Sequence, residues 1–174
     1  ASVFGTEGRG FESLRLHQNT SSFDEVFLFV YSLLGMEVPM HLDLVRLARS
    51  HIGVGRYELM AKPEWAPDVV DCSSFTQWLH AQFGVALPRK ARHQAAMMDV
   101  VEPDEIQPGD LIFFRGKCYQ DVSGLPPDHI GHVGVVAEDR LHFIHAANST
   151  KGIIEAPIAR VKPELFRRFG RIRT

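Results

Sequence analysis

The sequence predicts an α+β domain in which N-terminal helices pack on a central antiparallel β-sheet. Three observations carry that prediction. Apolar residues recur at helical spacings of three and four as far as Met98, the chain from residue 110 onward reads as short strands, and Glu138-Asp139 joins two of those strands by a tight turn. Helices first and strands afterwards do not give the βαβ alternation of a doubly wound parallel sheet.

Residues 1–20 are rich in Gly, Ser, Thr and Asn without a sustained period and read as a loosely held arm. Ser22 and Glu25 have capping-box spacing ahead of the apolar run Val26 to Leu34, and Gly35 stands where a helix stops, which predicts a helix from about 23 to 34. These two segments make residues 1–38 an N-terminal extension and leave 39–174 as the main domain. The next helix is expected over Met40 to Ile52, where Leu44, Leu47, Ala48 and Ile52 share a face and Gly53 follows. A third begins after Asp71, with Phe75, Trp78, Leu79 and Phe83 on one face and Gly84 as its stop, and a shorter helix is expected over Ala91 to Met98. Pro108-Gly109 turns the chain into strands over Leu111 to Arg115, His132 to Ala137, Leu141 to Ala146, Gly152 to Ala156 and Phe166 to Ile172.

The chain of 174 residues, 45% of them hydrophobic, is enough for one compact domain with a sizeable core. Its 19 Lys and Arg are interspersed with 21 Asp and Glu, so no basic stripe tracks a phosphate backbone and nucleic acid is not an expected partner. The basic run Arg167, Arg168, Arg171 and Arg173 reads as a solvated edge strand. No apolar stretch approaches the ~20 residues that a bilayer-spanning helix needs. The chain opens Ala1-Ser2 and shows no basic-plus-apolar leader, so localisation has to follow from function.

Of the two cysteines, Cys72 opens a helix and Cys118 lies in a Gly/Pro-rich loop, and both are expected to be free thiols. A helix N-terminus favours thiolate through its unpaired N–H groups and dipole, and the same groups with the amide of Cys72 could hold a tetrahedral oxyanion. Alone, such a cysteine is more often a small buried residue. Histidines decide the matter, because a cysteine nucleophile needs a base and the base needs an orienting partner. His132 and His145 lie on strands joined as a hairpin, and alternation puts them on one sheet face while His142 points to the other. With the Cys72 helix packed against that face, the three make a Cys-His-polar triad: Cys72 nucleophile, His132 base, His145 orienter. The HxxH spacings His129/His132 and His142/His145, with Cys72 and Cys118, raise a competing zinc reading. A separation of three on a strand sends side chains to opposite faces, so no metal is expected.

Four segments in order resemble the NlpC family of papain-like cell-wall endopeptidases: VDCSSFTQWLHAQFGVALPR at 70–89, IQPGDLIFF at 106–114, HVGVV at 132–136 and FIHA at 143–146. The resemblance implies a papain-like fold, with hydrolysis of an amide in a peptidoglycan stem peptide, usually between D-glutamate and a diamino acid, and no metal or organic cofactor. It also implies a cell-envelope, periplasmic or secreted location. Carried over by position, it implies Cys72, His132 and His145 as the triad. Asp71 and Ser73 would hold the free amine of the stem's L-alanine, and Tyr57 would line the cleft near the oxyanion. Arg89 would pair with a substrate carboxylate or form a structural salt bridge.

The sequence departs from the family at Ser74, which replaces a glycine, and after Tyr57, where ELMAKPEW stands in place of Trp-Gly-Gly. It departs again in the longer loop Gly116 to Gly131 and in the N-terminal extension. Two other functions stay open: a papain-like amidase or acyltransferase acting on another amide or lipid, and a binding module that keeps the fold without catalysis.

Overall fold

The computed structural model describes Val30 and residues 33–35, 39–116 and 129–173. The arm over 1–20, most of the helix expected over 23–34, and Cys118 lie outside the described residues.

Helix α1 spans Met40–Ser50, entered from Pro39, and buries Leu44, Val45 and Ala48 on one face. Its length stops two residues short of Ile52, and Gly53 follows at φ 75°, a left-handed conformation that glycine adopts without a Cβ penalty. Arg49, in its last turn, reaches Glu138 at 2.5 Å and Glu155 at 2.6 Å, tying the helix to two points on the sheet. Two short strands, β1 (Arg56–Tyr57) and β2 (Val69–Val70), pair in parallel just before helix α2 (Cys72–Ala81). Helix α3 is the single turn and a half of Ala91–Ala96. It ends two residues before the expected Met98, because Met98 opens a strand that the apolar spacing did not reveal.

That strand is β3 (Met98–Val101), followed by β4 (Leu111–Arg115), β5 (Ile130–Val136), β6 (His142–Asn148), β7 (Gly152–Pro157) and β8 (Phe166–Ile172). They form one antiparallel sheet in the order β3-β8-β4-β5-β6-β7. The α+β class and the hairpin of β5 and β6 are as the sequence predicts. The basic strand β8 is not at an edge: it lies between β3 and β4, with Arg171 bonded to buried Asp110 and Arg173 to Asp99. Phe169, at 3% exposure, and its neighbour Gly170 are buried, with Phe166 packed against the same cluster as Phe169, so the strand contributes to the core despite its arginines.

The sheet is covered on both faces, which decides where a site can lie. Leu111, Phe113, Val133, Val135 and Ile144 point to the side packed by Leu44 and Val45 of α1, Phe75 and Leu79 of α2, and Ala95 of α3. Ile112, Phe114, Val136 and Phe143 point the other way, into a second cluster with Val101, Ile106 and Phe169. A run of consecutive buried residues in β4 is therefore what a two-sided sheet requires.

Candidate active site

The nucleophile candidate is positioned by its neighbour. Asp71 is the N-cap of α2: its Oδ1 accepts from the amides of Ser73 at 3.1 Å and Ser74 at 2.8 Å, while Ser74 Oγ accepts from the Asp71 amide at 2.9 Å. This reciprocal box fixes the first turn. It also spends two of the first three helical amides, leaving that of Cys72 as the one not used by the cap. The departure from glycine at Ser74 thus has a structural use, since its hydroxyl closes the box.

Asp71 is 4% exposed and meets Arg89 through both oxygens, at 3.0 Å to Nη1 and 2.6 Å to Nη2. Arg89 also donates to Ser73 Oγ at 3.0 Å and to the Ala61 carbonyl at 2.5 Å. The structural ion pair foreseen for Arg89 is present, and its partner is the residue beside Cys72. Behind the turn, fully buried Gln94 donates to the carbonyls of Ser73 and Pro88 and accepts from Thr76 Oγ1. The DCSS turn is thus held from two sides.

His132 and His145 meet as alternation predicts, with His132 Nε2 and His145 Nδ1 2.6 Å apart and the rings nearly perpendicular at 82°. The face differs from the expectation. Their rings pack on Phe114 and Phe143, in the cluster on the side away from α2. Alternation tells which residues share a face but not which face a helix covers, and here both faces are apolar. Cys72 approaches at the entrance of β5 instead. The β4–β5 register slips between Phe114 and Arg115, making Gly131 an extra residue in β5, and the Cys72 thiol contacts the Gly131 carbonyl at 3.9 Å. A bulge re-aims side chains locally, and this one sits immediately before His132. Gly134 gives the pair its space: a Cβ there would lie 2.7 Å from the Phe143 ring and 3.1 Å from His145 Cβ.

Burial sets the protonation states. It pushes the Cys72 thiol up to about 12, reinforced by the Asp71 carboxylate and only partly opposed by the Val133 and Ser73 amides and the Ser73 hydroxyl. It takes His132 down to about 4 against the pull of Asp71, and His145 down to about 3 with the help of His132 and Lys151. At neutral pH the resting groups are a thiol and two neutral imidazoles. The helix terminus does not produce a standing thiolate, because desolvation outweighs it.

A cleft of about 400 Å³ opens beside the thiol, lined by Cys72 and by the four residues given substrate-binding roles from sequence, Tyr57, Asp71, Ser73 and Arg89. His132 and His145 are not among its lining residues, the lining of β5 coming from Ile130 and Gly131 just before His132. Tyr57 arrives there because β1 pairs it with Val70, two residues before Cys72. Met60 is a wall residue that sequence reasoning did not find. It has φ 63°, the left-handed region that favours glycine, and its amide donates to Asp71 Oδ2 at 3.1 Å. The altered segment after Tyr57 therefore keeps a glycine-like backbone while placing a long apolar side chain at the cleft mouth. Gly131 and Gly134 were visible as flanks of His132 but carried no signal until the strand register was known.

An α+β fold of papain-like layout, with a cysteine at a helix N-terminus and a histidine pair on the adjoining hairpin, defines a class of protein. Within it, the NlpC/P60 family model matches residues 56–165, and the chain belongs to that family. It is 36% identical over 93 residues to the "Probable endopeptidase NlpC" of Escherichia coli (strain K12), covering 53% of this chain and 54% of that protein. It is 35% identical over 82 residues to the "Gamma-DL-glutamyl hydrolase" of Bacillus subtilis (strain 168), covering 47% of this chain and 18% of that one. The chain thus spans about half the length of the first and less of the second. Among solved structures, NlpC2 from Trichomonas vaginalis has the same fold, with TM-score 0.62 and 21% identity over 76% of this chain and 46% of that one.

Proposed function

We propose that the chain is a cysteine endopeptidase that hydrolyses an amide bond in peptidoglycan stem peptides, the bond between γ-linked D-glutamate and a diamino acid. The observation that carries the reading is the His132–His145 contact beside the Gly131 bulge that meets the Cys72 thiol, in a chain of this family. The endopeptidase and γ-glutamyl hydrolase names of the relatives support the bond type.

In this reading His132 carries its proton on Nε2 and donates it to Nδ1 of His145, which leaves His132 Nδ1 as the basic nitrogen. Because the resting pair is neutral, the thiol proton moves to His132 as sulfur attacks the carbonyl carbon, rather than beforehand. The Cys72 amide, free of the Asp71 cap, faces the developing oxyanion. Collapse of the tetrahedral intermediate breaks the C–N bond, the leaving amine takes the proton from His132, and water then hydrolyses the thioester through the same base. No cofactor is called for in these steps. Ser73 would present the amine-binding side of the cleft, with Asp71, its oxygens held by Arg89 and the α2 cap, contributing through its negative charge, and with Tyr57 near the oxyanion. The substrate sets the location in the cell envelope, the periplasm or outside the cell.

The test is incubation with L-Ala-γ-D-Glu-diaminopimelate and mass spectrometry of the products. The native chain should release a fragment with a new diamino-acid N-terminus. Cys72→Ala and His132→Ala should lower kcat/KM by at least ~10²–10⁴-fold. His145→Asn, which keeps an acceptor, should retain more activity than His145→Leu. Equal cleavage by native chain and Cys72→Ala would exclude the triad. The second reading is a binding module, favoured by the thiol's rise to about 12; such a module would hold the peptide and release no product.

A further inference from the structure

Arg92 stands in the second position of α3 and lines the same cleft as Cys72. Its Nε and Nη1 are closed off from solvent and have no hydrogen-bond partner among the described residues. Arg89 offers the contrast within that cleft, since its terminal nitrogens are satisfied by Asp71, Ser73 and the Ala61 carbonyl. A guanidinium remains charged at any ordinary pH and carries five donors, so donors denied both water and an acceptor are costly. Among the described residues, no uncommitted acidic side chain lines the wall to supply the acceptor. Asp71 is, among the described residues, the one acidic side chain lining the cleft, against Arg89, Lys90 and Arg92, and it is already committed to Arg89 and to the α2 cap. An anion that arrives with the ligand, met by a small turn of the guanidinium toward the cleft, would supply the acceptor that the described residues do not.

We infer that Arg92 is the carboxylate-binding residue of the cleft and makes the chain select acyl groups bearing a free carboxylate over the corresponding carboxamides. The inference rests on the stem-peptide reading and deepens it. A γ-glutamyl linkage leaves the glutamate α-carboxylate free, a few bonds from the carbonyl that Cys72 attacks, and amidation of that group to isoglutamine removes the charge without changing the chain length. A neutral carboxamide accepts a weaker hydrogen bond from Arg92 and brings two further donors into a wall already rich in them.

Two measurements separate this inference from the reading beneath it. Calorimetry with the Cys72→Ala chain compares L-Ala-γ-D-Glu with its α-carboxamide. The acid should bind about 10–100-fold more tightly, as expected for a charge-assisted contact. Arg92→Gln in that background should bring the acid down close to the level of the amide while weakening the amide far less, and Arg92→Lys should restore part of the difference. Cleavage of acid and amide tripeptides by the native chain should show the same preference in kcat/KM. An acid-to-amide ratio that Arg92→Gln does not alter, or binding of neither ligand, overturns the inference. Cleavage of both forms at equal rates overturns it while leaving the peptidase reading intact. Selective, Arg92-dependent binding of the acid without any cleavage leaves the carboxylate site standing and removes the peptidase. Should Arg92→Gln fail to fold, the acid-to-amide ratio of the native chain and Arg92→Lys decide.

Discussion

At the scale of single residues, the chemistry beside Cys72 is governed by a carboxylate that does not itself react. Asp71 caps the helix, fixes the thiol's turn and raises the thiol's hold on its proton, and Arg89 offsets its charge. Removing the cation leaves a 5% exposed carboxylate side chain unpaired next to the nucleophile. Arg89→Met should therefore cost ~3 kcal/mol in denaturant unfolding. Adding Asp71→Asn should recover much of that loss, because asparagine still caps a helix but carries no charge. A cost below ~1 kcal/mol for the single change would show that solvent already screens the pair. Cys72 and the two histidines could be proposed from sequence because nucleophile, base and orienter are residue types tied to element positions. The left-handed Met60 could not be found that way, since methionine gives no sign of such a backbone and the constraint comes from Asp71, eleven positions away.

Among elements, the hairpin of β5 and β6 decides whether the histidines can meet. Its pairing was legible because a two-residue turn signal separates strands with period-two apolar residues. The spacing between them was not, because it depends on an absence of volume at Gly134. Gly134→Ala places a methyl group against the Phe143 ring, His145 Cβ and the Ile144 carbonyl, the last at 3.1 Å. We expect this variant to lose ~1–3 kcal/mol of stability through overpacking. It should also lose at least tenfold in kcat with the Cys72 thiol unchanged in accessibility to a small alkylating reagent. Native-like kcat would show that the histidine pair tolerates displacement. Strand β3 and the pair β1 and β2 escaped the sequence for a simpler reason. Segments of two to four residues hold at most two periods of strand alternation, too few to stand out from chance, and they are strands only because β8 and each other supply the hydrogen bonds.

Over the molecule as a whole, three histidines among the described residues are held neutral by desolvation, His80 buried and His132 and His145 partly buried. His80, 2% exposed and bonded to the Thr76 carbonyl, is pushed down to about 4, as is His132, and His145 falls to about 3. An unfolded chain binds protons at these sites near the ordinary value of 6.5. The unfolded state thus holds more protons between about 6.5 and 4, so the stability these residues contribute is complete above 6.5 and is lost as pH falls through that window. Thermal melts should drop between pH 6.5 and 4 by several degrees, at ~2–4 °C per kcal/mol for a domain of this size. His80→Gln, remote from the histidine pair, should flatten the drop; an unchanged profile in that variant would remove His80 from the account. The order of the fold, helices and then an antiparallel sheet, was readable along the chain. The two-sided burial was not, because a strand such as β8, rich in arginine, looks solvated until Phe169 and its apolar neighbours Phe166 and Ile172 are seen packed.

The close approach of Gly116 and Gly131 has a consequence beyond the bulge it accompanies. A Cβ on Gly131 would lie 2.8 Å from Gly116 Cα, and one on Gly116 would lie 2.5 Å from the Gly131 backbone, so the two strands leave the sheet pinched together. Whatever runs between those glycines begins and ends at one point, and lengthening it adds only a slowly growing closure entropy, ~0.6 kcal/mol for each doubling. The pinch fixes the register of β4 and β5 one residue before His132 independently of what lies between the two glycines, so a change in the length of chain between them should leave the histidine where it stands.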